Sequence, residues 1–349
     1  MTTGLERLVA AIRGEPSDRI PVFCNLIDQG AAELGVSLEE YYSRGELVAE
    51  AQLKMLERYH HDNVWSLFYV GKEAELFGCQ KILFAEDGPP NVEHFVLDGP
   101  QDVTKLEVPR DIGEHPAFAE SRKCLEILSR EVKGKNPICA YITATMTLPA
   151  LLMGLDKWME LLFVGPAAAR DELLEKCHQL FVKEVELYRK LGADVLVYSN
   201  PFGSPDFVPM KYFMEHSLPW IEKDVAAVGT QGLVYYCGMA RFGRVISTVL
   251  ERTGLGVYYL SPMDDIASGK RAIAGRGLTC GVINDIALVD WSPDTIRREV
   301  KRIIDAGMEG GKFLFGTGVM PYAVPQQSIR VMLEAAFEFG RQDGVRANA

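Results

Sequence analysis

Three things are scarce in this chain of 349 residues. No stretch approaches the ~18 consecutive apolar residues that a bilayer-spanning helix needs, and Met1 to Arg13 lacks the apolar run of a secretory leader. A membrane span and export are therefore not expected. Cysteine is sparse and unpatterned: the seven, at positions 24, 79, 124, 139, 177, 237 and 280, are odd in number and show no CxxC spacing. That usage suits a reducing cytoplasm rather than a disulfide framework. Basic charge is also short, with 37 Lys and Arg against 48 Asp and Glu, a net charge of -11. A general nucleic-acid or anionic-membrane partner is excluded on that balance, though a local basic pocket is not. There is no low-complexity tract, no short repeat and no linker-like segment.

What is present is a globular composition, 48% apolar and 24% charged, in a chain long enough to bury a large core without disulfides. Eight apolar runs of strand length recur: Ile20–Cys24, Asn63–Phe68, Pro137–Ile142, Asp194–Tyr198, Gly232–Cys237, Gly256–Leu260, Leu278–Ile283 and Lys312–Phe315. Amphipathic helical patterns separate most of them, as in Asp171 to Leu191 and Pro293 to Ala306. Eight strands alternating with helices predict an α/β fold, a (β/α)8 TIM barrel formed as a single domain over residues 1–349. Cys79 to Arg110 departs from the alternation. Its Asp87-Gly88-Pro89-Pro90 turn, with Val92, Phe95 and Val96, predicts a small β-hairpin inserted after the second strand. Near the C-terminus the apolar run Phe313-Leu314-Phe315 breaks into Gly316-Thr317-Gly318, which reads as a buried strand ending in a glycine turn that approaches a ligand.

In such a barrel the chemistry lies just beyond the C-terminal ends of the strands. That rule places Cys24, Asn25, Thr143, Thr145, Ser199, Asn200, Cys237, Met239, Ser261, Met263, Asp264, Asn284, Asp285 and Thr317 around the mouth. The lining is mostly neutral and favours an uncharged or weakly charged organic substrate. Tyr235 and Cys237, two apart, project to one side of their strand. The tyrosine is either a proton donor to a leaving oxygen or a barrel-filling aromatic, and the cysteine either a reactive thiol or a small buried hydrophobe. Arg241 and Arg244 either hold an anionic group or are exposed loop charges. His60, His61 and Asp62 read as a helix terminus, and Asp194 as a structural residue at the opposite end of the barrel. His178 and His216 read as packing or surface histidines. One of Glu73 and Glu75 is expected to reach the cleft.

Several segments, in order and spacing, carry a family resemblance: Asp18-Arg19-Ile20-Pro21-Val22, Gly71 to Cys79, Thr145 to Ala150, Gly192-Ala193-Asp194, Tyr235-Tyr236-Cys237-Gly238 and Gly316-Thr317-Gly318-Val319. The chain resembles the uroporphyrinogen decarboxylase (URO-D) superfamily, and within it the corrinoid-linked methyltransferases more than the decarboxylases. Zinc-dependent members of that branch carry His-x-Cys after one strand and Gly-Cys-Gly after the last. The corresponding residues here are Tyr235, Cys237 and Thr317, and hydroxyls replace thiolate and imidazole poorly at zinc. Cys237 with Cys280 and Asp264 would be the alternative ligands. Decarboxylases hold a polycarboxylate with arginines after the first strand, whereas no Lys or Arg lies between Ile20 and Ser43.

The resemblance implies a methyltransferase that moves a methyl group between a small organic substrate (an ether or amine rather than a thiol) and a corrinoid carried by a partner protein. Tyr235, Cys237, Asp264 and Thr317 are the expected catalytic residues, with Cys24, Asn25, Thr145, Asn200, Met239 and Arg241 expected to bind substrate. A homodimer is compatible. Uroporphyrinogen decarboxylation and a non-catalytic binding barrel are the alternatives.

Overall fold

The computed structural model describes residues 2–85 and 90–342. Ten strands occur in it: β1 (Val22–Asn25), β2 (Val64–Trp65), β3 (Ile82–Leu83), β4 (Asn91–Val92), β5 (Ile138–Thr143), β6 (Val195–Ser199), β7 (Leu233–Tyr236), β8 (Val257–Tyr259), β9 (Leu278–Ile283) and β10 (Phe313–Val319). Eight of them form one parallel sheet in the order β1-β10-β9-β8-β7-β6-β5-β2, with helices between. The TIM-barrel expectation therefore holds. β5 and β9 are buried along their whole length, as strands covered by helices outside and by one another's side chains inside must be.

β1 and β2 meet without a regular ladder. Asp62 donates its N–H to the Val22 carbonyl at 2.9 Å. The Asn63 side chain takes the Cys24 N–H at 2.9 Å, and Trp65 Nε1 donates to the Cys24 carbonyl at 2.7 Å. A side-chain amide thus does the work of a peptide group at the seam, where buried backbone donors must find partners.

The hairpin after β2 is present, with Ile82 opposite Val92 and Leu83 opposite Asn91 in antiparallel register. Asp87, Gly88 and Pro89 of its expected turn lie outside the described residues, and Phe95 and Val96 follow the second strand rather than belonging to it. The helix expected from Pro293 runs Pro293–Met308; Ser292 caps it by accepting the Thr295 N–H, and Pro293 occupies the first turn, where no N–H is needed. The helix expected from Asp171 spans Ala167–Lys190.

One expectation is corrected. The chain does not turn at Gly316-Thr317-Gly318: β10 continues through it, pairing Gly316 with Val282 and Thr317 with Ile283. Neither glycine has a left-handed backbone. Their role is clearance, because a Cβ on Gly316 would stand 2.2 Å from the Tyr259 hydroxyl and 2.7 Å from Cys280 Sγ. Side chains from β8 and β9 fill the space that residue 316 leaves.

Candidate active site at the barrel mouth

Register decides which side chains see the inside of the barrel. Thr143, Ser199, Tyr236, Tyr259 and Cys280 are aligned across β5 to β9 and share one face. Tyr141 and Tyr236 meet edge-on at 5.6 Å, as do Tyr236 and Tyr259. Trp65 and Phe68 stack on Tyr141 at 4.8 and 4.6 Å. These aromatics form the floor of the mouth. Tyr198, Tyr235 and Tyr258 are aligned on the other face, where Tyr198 Oη donates to Asp224 of the helix Leu218–Val228 at 2.7 Å.

That alternation corrects the expected site. Tyr235 points outward, packed against Tyr198, Phe242 and Tyr258. Its hydroxyl accepts from Asn200 Nδ2 at 3.2 Å. Cys237 shares that burial, donating to the Asn200 carbonyl at 3.3 Å, and desolvation pushes its thiol pKa well up. Asn200 also accepts from Thr147 Oγ1 at 3.3 Å. Asn200, Tyr235 and Cys237 are thus brought together, but behind the barrel wall. Thr145 lies in a different outer network, donating to Asp224 Oδ1 at 2.6 Å. Thr317 is fully buried, accepting the Asn25 N–H at 2.9 Å and donating to the Gly318 carbonyl. Asp264 uses both carboxyl oxygens to accept the N–H groups of Phe242 and Gly243, at 3.2 and 3.0 Å. Arg241 is exposed and paired with Asp206. The half-buried Met239 takes the Ser261 hydroxyl on its carbonyl, and Cys24 is fully buried, its thiol pKa raised by desolvation. Asn200, Cys237, Asp264 and Thr317 therefore do not gather around one rim.

Asn25 is different. Its Nδ2 donates to the Tyr259 hydroxyl at 3.2 Å and to the Thr317 carbonyl, while its buried Oδ1 has no partner. Glu73 reaches the end of β5 from outside, accepting from the Thr143 N–H at 3.0 Å and its hydroxyl at 2.8 Å. Burial raises the Glu73 pKa. Glu75 pairs with Lys72 and Tyr69 instead.

Sequence reasoning placed Asp285 at the mouth without singling it out. The residue is 3% exposed, and desolvation raises its carboxyl pKa to about 7. Tyr141 and Tyr236 both sense its charge. The Tyr141 hydroxyl lies beside that of Tyr236 without an aligned hydrogen bond. The signal in the sequence was an acid two positions past a buried strand, between Asn284 and Ile286, with no basic residue nearby.

A cavity of about 320 Å³ opens over the ends of β2, β5 and β6, lined among others by Phe68, Phe95, Thr143, Thr147, Ser199 and Phe202. No charged side chain among the described residues lines it. Phe95, after the hairpin, forms one wall.

Metal ligation was tested on the donors present. Cys237 faces outward with Tyr235, while Cys280 faces inward with Tyr259, so the two cannot share an ion. Among the described residues no group of three or more His, Cys, Asp or Glu side chains is placed to hold one. The residues do not fit the family's zinc site.

Comparison with known proteins follows the same lines. A model of the family "Uroporphyrinogen decarboxylase (URO-D)" matches residues 3–339. Methylcobamide:CoM methyltransferase MtaA of Methanosarcina barkeri is 22% identical over 342 residues, 95% of this chain and 97% of its own. Methylcobamide:CoM methyltransferase MtbA of Methanosarcina mazei is 24% identical over 344 residues, 96% and 97% respectively. The solved structure of a methyltransferase from Methanosarcina mazei has a TM-score of 0.83 at 20% identity, covering 97% of this chain and 99% of that one, and shares the fold.

Proposed function

The chain belongs to the uroporphyrinogen decarboxylase (URO-D) family, and from that premise we propose that it is a methyltransferase, acting between a small neutral organic substrate and a corrinoid carried by a partner protein. The observation that carries the reading is similarity along nearly the whole chain to enzymes named for methylcobamide. The uncharged cavity at the mouth supports it. A polycarboxylate tetrapyrrole would meet no cation among the described residues there, which sets decarboxylation second.

The corrinoid, when its carrier docks, supplies the nucleophile that accepts the methyl group. This chain's residues bind and orient the substrate and exclude water. Ser199 offers a hydroxyl at the cavity, the Thr143 hydroxyl being already donated to Glu73, and the aromatic floor supplies apolar contact. A thiol acceptor needs a metal to lower its pKa, and the zinc donors do not assemble, so an ether or amine donor is favoured. Among the described residues, exposed large apolar side chains lie in segments that follow strands, among them Phe95, Phe207, Met210, Met214, Met263 and Ile286. Such a rim around the mouth suits coverage by another protein. The same reading places this barrel in the reducing cytoplasm, consistent with seven free cysteines, and accommodates a homodimer. No helix among the described residues is long and apolar enough to cross a membrane.

The test is reaction of the purified protein with free cob(I)alamin and a panel of methyl ethers, methylamines and methyl thioethers, followed by the corrinoid spectrum. Methylation by at least one donor is expected. Carbon dioxide release from uroporphyrinogen without corrinoid would establish the decarboxylase instead, and binding without either reaction a non-catalytic barrel. Ala150 lines the cavity, so Ala150→Phe should raise KM for the donor on the order of tenfold by filling contact space. Unchanged KM would show that the substrate lies elsewhere.

A further inference from the structure

The cavity over β2, β5 and β6 carries few polar groups, and their hydrogens are unevenly placed. Thr143, at the end of β5, lines it. Its backbone N–H and its hydroxyl both go to Glu73 Oε1, at 3.0 and 2.8 Å. A backbone N–H can only donate, so Oε1 is fixed as the acceptor. The Thr143 hydroxyl hydrogen is thereby committed to Glu73 whether or not Oε2 carries a proton, and its oxygen has only lone pairs to offer. Thr147 is occupied on both sides: its hydroxyl accepts the Phe202 N–H and donates to Asn200 Oδ1, each at 3.3 Å. Ser199 stands beside Thr143 in register on β6, half-buried, and its hydroxyl is free among the described residues. Two neighbouring strand ends thus present one oxygen that only accepts and one hydroxyl that can donate. A hydroxyl group, which gives one hydrogen and receives another, complements both. Around this pair the walls are aromatic and aliphatic, with Phe68, Phe95, Phe202 and Leu155 among them. Phe95 is seated on Gly154, where a Cβ would stand 3.1 Å from its ring, and the Leu97 N–H donates to the Leu152 carbonyl at 2.9 Å. Phe202 packs edge-on against Phe207 at 5.1 Å. The walls are therefore in place before a ligand arrives.

We propose that the cavity selects a neutral aromatic molecule bearing a free hydroxyl, which donates to Thr143 Oγ1 and accepts from Ser199 while the ring lies among Phe68, Phe95 and Phe202. The inference rests on the methyl-transfer reading above and names the group by which the substrate is recognised; that hydroxyl is separate from the heteroatom that carries the methyl group. Glu73 is a positioning residue. It touches no ligand, and it sets specificity by holding the Thr143 hydrogen away from the cavity. A molecule whose oxygen is capped by a methyl group brings a lone pair against the Thr143 lone pairs and loses the contact. An ammonium or a phenolate would give up its hydration without meeting an opposite charge, because no charged side chain among the described residues lines the cavity.

Isothermal titration of the full-length protein with phenol and with methoxybenzene at neutral pH reads the preference without any corrinoid. Wild type should bind phenol about tenfold tighter than methoxybenzene, the effect of one hydrogen bond gained against one acceptor left facing another. Thr143→Val keeps the shape and removes the acceptor, so the ratio should fall below about threefold, while Thr143→Ser should keep it. Glu73→Ala releases the Thr143 hydrogen into the cavity and should also bring the ratio below about threefold; Glu73→Gln, whose Oε1 goes on accepting, should restore it. The glutamine is accommodated on its other side as well. Glu73 Oε2 and Glu184 Oε2 are both buried without a partner, and both residues line a void of about 10 Å³, so the new N–H group has an acceptor in reach. Each variant supplies its own ratio, and general loosening that weakens both ligands alike does not imitate the result. A wild-type ratio below about threefold, or the wild-type ratio retained in Thr143→Val, overturns the assignment. Absence of binding by either ring overturns the aromatic class. Methyl transfer to free cob(I)alamin, followed on the same preparation, keeps the two readings apart: transfer without the phenol preference strikes this inference alone, and the preference without transfer from any donor upholds the site and strikes the enzyme reading.

Discussion

Asp62→Ala is expected to destabilise the protein by about 3–5 kcal/mol, as removal of one partner from a buried ion pair does. The carboxylate is 1% exposed and accepts from Arg7 Nη1 at 2.9 Å, from Arg19 Nη1 at 2.5 Å and Nη2 at 3.0 Å, and from the Val22 N–H at 2.7 Å. It therefore ties the first helix, the entry to β1 and the entry to β2 at the seam where no regular ladder closes the barrel. Arg7 keeps Asp18 after the substitution, but Arg19, largely buried against the Phe337 ring, loses its only carboxylate partner among the described residues. The orphaned Val22 N–H adds a further ~1–3 kcal/mol of unmet donor, part of which overlaps the first figure. Asp62→Asn keeps the volume and one acceptor, so about half the loss is expected. Urea unfolding with unchanged m measures both. Because Asp62 lies at the N-terminal end of the strands, kcat at low temperature should not move. A midpoint shift equivalent to less than 1 kcal/mol would show that the seam does not depend on this residue.

The barrel was legible because each strand is a short apolar run bounded by polar helix ends, and because the count reached eight. The strand faces were not. In a closed barrel both faces are buried, one by side chains and one by helices, so a run such as Leu233-Val234-Tyr235-Tyr236 has no polar alternation to tell inside from outside. Tyr235 and Tyr236 are chemically identical in sequence, and only register with Tyr259 and Cys280 shows that the second faces in. The assignment of Tyr235 and Cys237 to the mouth failed for that reason. Gly316 and Gly318 misled in a related way: a glycine pair reads as a turn, yet here it is the absence of Cβ atoms beside Tyr259 and Asp285 that the packing requires. The neutral character of the mouth, by contrast, was readable from the residue types alone, since Thr143 and Ser199 line the cavity as placed.

In sequence Thr145 and His178 are unrelated, one at the cleft and one on a helical pattern, and the structure joins them through Asp224. That carboxylate, fully buried, accepts from Thr145 Oγ1 at 2.6 Å, Tyr198 Oη at 2.7 Å and His178 Nδ1 at 2.7 Å. The histidine must carry its hydrogen on Nδ1 to make that contact. One side chain thereby holds together the helices Ala167–Lys190 and Leu218–Val228, strand β6, and the chain just after β5. Asp224→Ala leaves four buried donors without this acceptor, the Thr145 N–H at 3.4 Å among them, and a loss of about 3–5 kcal/mol is expected. Asp224→Asn retains one carbonyl acceptor and should recover part of it. The substitution should reach the mouth as well, because Thr145 sits between Thr143 and Thr147, both of which line the cavity. A KM increase of several-fold at a temperature where the variant is fully folded is the expected signature, with kcat less affected, since the network touches the wall of the cavity rather than its interior. Thermal unfolding and steady-state kinetics on the same preparations separate the two effects. Equal KM in Asp224→Asn and wild type would mean that the outer network stabilises the barrel without shaping its pocket.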